Sequence, residues 1–219
     1  MSNLSLQAAR WWWPATRRRR QRVTAFSARV GMRSTRLLPF RSTLGVAEPY
    51  GSGLGGKLML LYFDGRTGET HAVDAMDQAS RSLVPDKYRR RPEKSRFDGW
   101  SSVCTPGLAA GLFTAHSRWG KLPWAQTVAP AIALADAGFT VLPKSRLLFE
   151  ERLDKLRGGD GTLARLFLPN GDLPQIGSRL PNHDLARTME HLARDGADGF
   201  TGGRWRRRWS KRRERAGGF

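Results

Sequence analysis

The stretch that decides the fold covers residues 44–63 and reads LGVAEPYGSGLGGKLMLLYF. A glycine-rich turn over residues 52–56 leads directly into an apolar run over residues 57–64. Residues 65–68 have turn chemistry, and residues 69–74 alternate between apolar and polar side chains. This pattern predicts a β-hairpin that follows a glycine-rich turn.

The positive charge of the chain is concentrated at its two ends. The formal net charge is +19, and residues 1–42 carry ten arginines and no carboxylate. Residues 204–215 carry eight Lys or Arg side chains against the single Glu214. Removing both segments leaves about +2 for the remainder, so we expect a near-neutral globular centre, long enough for one domain with a real core.

Cysteine content and hydropathy exclude several classes of protein. Cys104 is the only cysteine, which rules out an internal disulfide and a cysteine-based metal cage. Its apolar surroundings predict a small buried side chain. No apolar run reaches the roughly 18 residues that span a bilayer. Residues 23–33 lack the apolar core of a signal peptide, so export is not supported by the sequence as written. Expression as written would leave the chain in the cytoplasm, and we assign no compartment.

Proline and glycine divide the centre of the chain into helices. Four helices are predicted, over residues 106–120, 123–138, 147–156 and 184–196, the last with Asp184 as its N-cap. Residues 81–97 are charged and bounded by proline, which favours a surface loop or a short helix. Residues 166–171 form a short apolar piece that enters a turn. These elements predict a mixed α/β domain.

Four segments, taken in order and at their spacing, resemble one family. They are LGVAEPYGSGLGG (44–56), CTPGLAAGLFTAHSRWGKLPW (104–124), FLPNGDLPQIG (167–177) and HDLARTMEHLARDGADGFTGG (183–203). Together they resemble the heavy-chain half of the gamma-glutamyltransferases (gamma-glutamyltranspeptidases), a family of N-terminal nucleophile hydrolases. Each piece alone is compatible with ordinary helix packing.

The resemblance covers residues 44–203 and implies an α/β (α+β) fold of αββα layers, incomplete because only the heavy-chain portion is present. Residues 1–43 and 204–219 fall outside it as basic segments. Family members are often periplasmic or secreted, act on glutathione-like small molecules, and pair with a light chain from the same precursor. No cofactor is implied.

The chemistry of the family requires a threonine whose hydroxyl attacks the amide and whose own α-amino group is the base. The cleavage motif that frees this threonine begins with two adjacent threonines. No such pair occurs in the 219 residues. Thr70 precedes His71 but falls inside the predicted hairpin, so we interpret it as a strand residue. We assign no catalytic residue and expect the chain to be inactive alone.

Substrate recognition in the family uses an arginine just after the hairpin, which grips the α-carboxylate of the glutamyl group. Met76 stands at that position here, and Asp77 stands where the family has a glutamate. A complete enzyme of this type could therefore prefer a different small amide. Core packing is an equal interpretation of Met76.

The glycine-rich turn contains Ser52, Gly53, Gly55 and Gly56. It lacks a following Lys-Ser/Thr and precedes its strand, so it is neither a P-loop nor a dinucleotide fingerprint. The resemblance implies that it supports the active-site floor through backbone contacts. The four histidines show no metal-ligand spacing, and no metal site is predicted.

The basic ends have three interpretations. Arginines interleaved with tryptophan could bind nucleic acid, or the ends could be solvated arms. The third interpretation is a displaced reading frame, which we favour, and nucleic acid is then not expected as a partner. With permitted codons, residues 29–40 read two bases along give GGNAVDAAVAV, which contains the family's GGNAVDAAVA helix. Residues 205–212 can likewise encode VAAAVVEA.

The leading functional hypothesis is therefore a fragment of a glutathione hydrolase-like amidohydrolase, inactive because the threonine half is absent. The alternatives are a basic nucleic-acid-associated protein, and a heavy chain completed by a separately encoded light chain.

The coding DNA tests the displaced frame. We expect the codons for Arg29 to Phe40 to spell the family's helix when read two bases along, because both basic segments fall where the family has alanine-rich helices. Sequencing the gene with its flanks and translating all three forward frames is the measurement. Codons incompatible with that alternative reading would remove the hypothesis.

Overall fold

The computed structural model of the chain describes residues 33–215 apart from residues 81–82, 98, 100–101 and 159–160. The helices and strands of these residues are, in chain order, α1 (Arg33–Ala47), α2 (Pro49–Ser52), β1 (Leu58–Asp64), β2 (Glu69–Ala75), α3 (Pro85–Arg89), α4 (Glu93–Phe97), α5 (Leu108–Trp119), α6 (Trp124–Ala137), β3 (Phe139–Thr140), α7 (Pro143–Glu150), α8 (Leu153–Arg157), α9 (Thr162–Phe167), a 3₁₀ turn (Pro169–Gly171), β4 (Arg179–Leu180), α10 (His183–Asp195), α11 (Asp198–Thr201) and α12 (Gly203–Arg215).

The predicted hairpin is confirmed. β1 and β2 pair antiparallel from Leu58 opposite Ala75 to Asp64 opposite Glu69. At the turn, the backbone N–H of Arg66 donates to Oδ1 of Asp64 at 2.9 Å. This hydrogen bond is the main reason why the pKa of Asp64 lies below its ordinary value. The contribution of this ionised carboxylate to the stability of the fold is therefore fully present above the ordinary pKa of an aspartate. It is lost as the pH falls through the lowered pKa of Asp64.

The two faces of β1 have different surroundings. Leu58 and Leu60 pack against the buried face of α5, next to Leu108 and Leu112. The side chains between them point the other way: Met59 is 75% exposed, Leu61 78% and Phe63 63%. We call these three residues the apolar stripe. The hairpin is thus covered by helix on one side only, among the residues that the structure describes.

The main core lies between helices. α6 packs against α10 and α1, and Trp124 at the start of α6 donates its indole N–H to the carbonyl of Leu192 in α10 at 2.7 Å. The buried members of this core are Val46, Leu54, Ala109, Val128, Ala131, Ala135, Ala186, Met189 and Leu192. Three alanines on α6 and α10 line it, so the helices approach each other closely.

A second core forms around the short β3–β4 ladder, which pairs Phe139 with Leu180. Its buried members are Phe139, Val141, Phe149, Leu156, Leu168 and Leu180. Tyr50 joins it from α2, with its ring edge-on to Phe149 at 6.2 Å. This core therefore connects the region around the glycine-rich turn with the middle of the chain.

Most predicted helices are present, with two corrections. α5, α6 and α10 correspond to the predicted helices, and the charged segment after the hairpin contains the short α3 and α4. The helix predicted over residues 147–156 is instead two helices, α7 and α8, because Arg152 has non-helical backbone angles between them. Pro143 begins α7 earlier than predicted.

The predicted cap of α10 was also wrong. Asn182 is the N-cap, and its side chain accepts a hydrogen bond from the N–H of Leu185 at 2.9 Å. Asp184 lies inside the first turn and forms an ion pair with Arg187. Cys104, predicted to be buried, is only half-buried.

The basic segments lie partly within the described residues. α1 spans the predicted boundary between residues 43 and 44, and the division of the chain at that boundary remains a prediction. Residues 204–215 of the predicted basic tail belong to α12, a helix of 13 residues, and residues 216–219 lie outside the described residues. Residues 1–32 lie outside the described part of the chain. The reading-frame hypothesis remains a prediction.

The fold is therefore a mixed helix-and-strand domain, in which a helical layer covers one face of a hairpin. None of the helices in the described part of the chain combines the length and the apolar character needed to cross a bilayer.

Substitution of two methionines tests whether Met189 is a core residue and Met59 a surface residue. Met189→Ala should lower the free energy of unfolding by roughly 2–5 kcal/mol, because Met189 has 0% exposure and its removal leaves a cavity. Met59→Ala on the exposed stripe is the matched control and should change it by less than about 0.5 kcal/mol. Urea unfolding followed by circular dichroism measures both. Equal effects of the two substitutions would contradict the assignment.

Candidate functional site

The glycine-rich turn is held by its neighbours in the chain and by one buried leucine. Ser52 ends α2, and its N–H donates to the carbonyl of Glu48 at 3.0 Å. Leu54 is 5% exposed and belongs to the main core. The N–H of Gly56 then donates to the carbonyl of Gly53 at 3.1 Å and closes the turn. The turn is therefore anchored from beneath by Leu54, while Gly55 faces solvent.

The turn continues into the start of α5. The carbonyl of Gly56 accepts a hydrogen bond from the N–H of Leu108 at 3.0 Å. The first N–H groups of a helix have no partner within the helix, so this bond satisfies one of them. A backbone contact between the glycine-rich turn and α5 is thus present.

Gly107 allows α5 to meet the end of β2. A methyl group at position 107 would lie 2.2 Å from the carbonyl oxygen of Ala75 and 2.6 Å from that of Met76. Both distances are far below van der Waals contact with backbone atoms. Gly107 was not predicted as a site residue. The signal for it in the sequence was a Pro-Gly pair immediately before a predicted helix.

Met76 and Asp77 follow β2 directly and lie beside this junction. Met76 is 39% exposed, so its side chain is not a core residue. Its N–H donates to Oδ1 of Asp74 at 3.1 Å. Asp77 forms an ion pair with Nζ of Lys57, at 3.5 Å, and Lys57 is the residue after the glycine-rich turn. The two sequence-predicted sets of site residues are therefore brought together at one place.

A short backbone bridge completes the junction. Gln78 and Thr105 exchange two hydrogen bonds, from Gln78 N–H to Thr105 carbonyl at 3.0 Å and from Thr105 N–H to Gln78 carbonyl at 2.8 Å. Residues 76–77 thus lie between the end of β2 and this bridge. Their backbone is fixed, while the side chain of Met76 remains available at the surface. We call residues 52–57, 76–78 and 105–108 the junction.

The histidines lie elsewhere and have structural contacts. His116 contacts the carbonyl of Leu122 through Nε2 at 2.7 Å, and His183 contacts Asp136 through Nδ1 at 2.7 Å. His71 stacks with Tyr62 in the hairpin. Among the described residues, no three His, Cys, Asp or Glu side chains are grouped so that they could hold a metal ion. Thr70 is an exposed residue of β2, as predicted.

Comparisons with known proteins agree on one family. Residues 40–219 match the family model described as Gamma-glutamyltranspeptidase. The glutathione hydrolase proenzyme of Bacillus subtilis is 31% identical over 170 residues, which are 74% of this chain and 28% of that protein. Glutathione hydrolase 2 of Arabidopsis thaliana is 37% identical over 164 residues, which are 73% of this chain and 27% of that protein. The chain thus spans about a quarter of the length of these relatives.

Solved structures show the same fold. The gamma-glutamyltranspeptidase of Helicobacter pylori superimposes with a TM-score of 0.83 at 22% identity, covering 90% of this chain and 57% of that one. The cephalosporin acylase of Bacillus halodurans superimposes with a TM-score of 0.75 at 22% identity, covering 85% of this chain and 36% of that one. At these identities the likeness concerns the fold.

Two glycines test the geometry of the junction. Gly107→Ala should lower the free energy of unfolding by roughly 1–3 kcal/mol, because the new methyl group must displace backbone atoms. Gly55→Ala is the matched control, since a methyl group there meets nothing within 4 Å. The control should leave the stability unchanged or raise it by up to about 1 kcal/mol through the unfolded chain.

Urea unfolding gives the stability of both variants, and hydrogen exchange at the Leu108 amide reports on the bond to Gly56. Exchange at Leu108 should accelerate in Gly107→Ala and not in Gly55→Ala. If Gly107→Ala is as stable as the parent chain, the close approach described above is incorrect.

Proposed function

The chain belongs to the gamma-glutamyltranspeptidase family, and we propose that it is the scaffold-bearing part of a glutathione hydrolase-like N-terminal nucleophile amidohydrolase. The observation that carries the proposal is the junction, where the glycine-rich turn, Met76 and Asp77 are assembled. The same 219 residues contain no adjacent pair of threonines. We infer that the chain positions a substrate-binding floor and has no hydrolase activity of its own.

The chemistry explains why the floor alone is not sufficient. Hydrolysis of an amide by this route needs a hydroxyl nucleophile and an amine base in one residue. Thr70 does not fit this role, because its backbone is paired with Phe63 inside the hairpin and its amino group is part of a peptide bond. Lys57 and Asp77 neutralise each other in an ion pair and provide a binding surface, not a nucleophile.

We also propose that the complete enzyme has αββα layers. The apolar stripe of β1 is exposed on the face of the hairpin opposite α5. Side chains such as Met59, Leu61 and Phe63 are expected to be covered when a second sheet packs against this face. Residues of a threonine-bearing light half would supply that sheet.

The exposed stripe also favours a second candidate function, a heavy chain completed by a separately encoded light chain. Three large apolar side chains in alternate positions of one strand make a surface suited to packing against another sheet. A neighbouring reading frame that begins near a Thr-Thr-His segment would supply such a partner. Co-expression should then raise the soluble yield and produce hydrolase activity.

Met76 bears on the substrate of such a complete enzyme. Its thioether cannot form the bidentate hydrogen bonds that a guanidinium makes with a carboxylate. We therefore propose that the complete enzyme takes an amide whose acyl group lacks a free α-carboxylate. The cephalosporin acylase named above has the same fold, and its name describes a different acyl substrate.

The decisive experiment assays the purified chain with a gamma-glutamyl anilide and with a simple acyl anilide. Neither should release aniline above a mock preparation, because no attacking group is present. Mass spectrometry after treatment with a glutamate-mimicking electrophile should show the unmodified mass. The Thr70→Ala variant is the control that distinguishes contamination from activity of this chain.

Activity in the parent chain that scales with protein concentration and is lost in Thr70→Ala would contradict the proposal. In the co-expressed complex, a preference for the acyl anilide over the gamma-glutamyl anilide supports the substrate assignment, and the reverse preference contradicts it.

A further inference from the structure

Helix α12 is attached to the domain by its tryptophans. Trp205 and Trp209 are four residues apart and therefore lie on the same face of the helix. Both are half-buried, and the ring of Trp205 lies edge-on to the ring of His191 in α10 with centroids 6.2 Å apart. α12 also packs against α11. The aromatic face of the helix is thus directed toward the domain.

The part of α12 that faces away from the tryptophans is cationic and exposed. At ~100° per residue, Arg207 and Lys211 lie opposite the tryptophans, and Arg206 and Arg208 lie on the two flanks of the helix. Arg206, Arg207, Arg208 and Lys211 are all exposed. Within the described part of the chain, none of these four side chains forms an ion pair with a carboxylate. They occupy about 7.5 Å of helix length at 1.5 Å per residue. Like charges this close repel one another, and a partner with closely spaced anions relieves that repulsion.

The arrangement favours duplex nucleic acid over two other polyanionic partners. A helix that binds a membrane surface buries an apolar face in the lipid, but the apolar residues Trp205 and Trp209 face the domain. A single strand is bound by stacking bases on free aromatic rings, and Trp205 is already in contact with His191. A duplex needs only cations that match a dense line of phosphates. The planar guanidinium of arginine is well suited to phosphate oxygens.

We propose that the exposed face of α12 binds the phosphate backbone of duplex nucleic acid without sequence preference. Arg207 and Lys211 make the central phosphate contacts, Arg206 and Arg208 on the flanks add contacts to neighbouring phosphates, and the tryptophans hold the helix in place. This inference does not depend on the proposed amidohydrolase scaffold, because it uses a different surface and a different ligand. It departs from the sequence-based expectation that nucleic acid is not a partner, because that expectation concerned the origin of the arginine codons and this inference concerns arginines exposed on a docked helix.

The test measures the salt dependence of duplex binding by the full chain. Fluorescence anisotropy with a labelled 20-base-pair duplex of mixed sequence gives the affinity at several salt concentrations. The logarithm of the binding constant falls with the logarithm of the salt concentration, with a slope of ~0.9 for each phosphate contact. The variant Arg206→Gln, Arg207→Gln, Arg208→Gln, Lys211→Gln should flatten the slope by roughly 1.8, for the two central contacts, up to roughly 3.6 when both flanking arginines also contact phosphates. Part of the salt-sensitive affinity, roughly 10-fold to 10²-fold between 50 and 200 mM salt, should disappear with it.

The matched control removes the same number of charges elsewhere, with Arg17, Arg18, Arg19 and Arg20 changed to Gln. Helical circular dichroism checks that both variants are folded. An unchanged slope in the α12 variant overturns the proposal, whatever the control shows. Equal affinity for a second duplex with a scrambled sequence supports the proposal. Binding to anionic vesicles or to a single strand that depends on α12 and exceeds binding to the duplex overturns the assignment of the ligand.

Discussion

The contact between the start of α5 and the end of β2 is possible only because residue 107 has no side chain. The Ala75 carbonyl oxygen occupies the place that a methyl group on residue 107 would require. This approach lets Leu108 and Leu112 rest on the hairpin, and it lets the N–H of Leu108 reach the Gly56 carbonyl. The glycine-rich turn, the hairpin and the helical layer therefore meet through one short stretch of backbone.

Much of this architecture could be predicted from local signals, and the failures have identifiable reasons. The hairpin followed from a turn between two strand-like runs, and α6 from a proline at its start and a glycine at its end. The position of the N-cap of α10 could not be chosen locally, because Asn182 and Asp184 are both good capping residues. The interruption between α7 and α8 was missed because residues 150–152 are charged and compatible with a continuous helix.

The candidate site, too, was only partly predictable from the sequence. Ser52, Gly53, Gly55, Gly56, Met76 and Asp77 were identified through a family resemblance, and no periodicity would have found them. Their proximity depends on contacts between residues distant in sequence, which are the approach of Gly107 to the end of β2, the bond from Leu108 to Gly56 and the bridge between Gln78 and Thr105. The spacing of Trp205 and Trp209 could have predicted a docked helix at the C-terminal end. The dominance of arginine there obscured it, and a displaced reading frame would make those arginines a record of nucleotide composition.

The apolar stripe of β1 has a consequence for the life of the protein in a cell. A strand face that presents methionine, leucine and phenylalanine to water favours association through that face and capture by chaperones. Unless something occupies that face, we expect cellular quality control to remove the chain. Its abundance would then be governed by turnover and not by how much messenger is translated, so the amount of protein present would report on whether the stripe is covered.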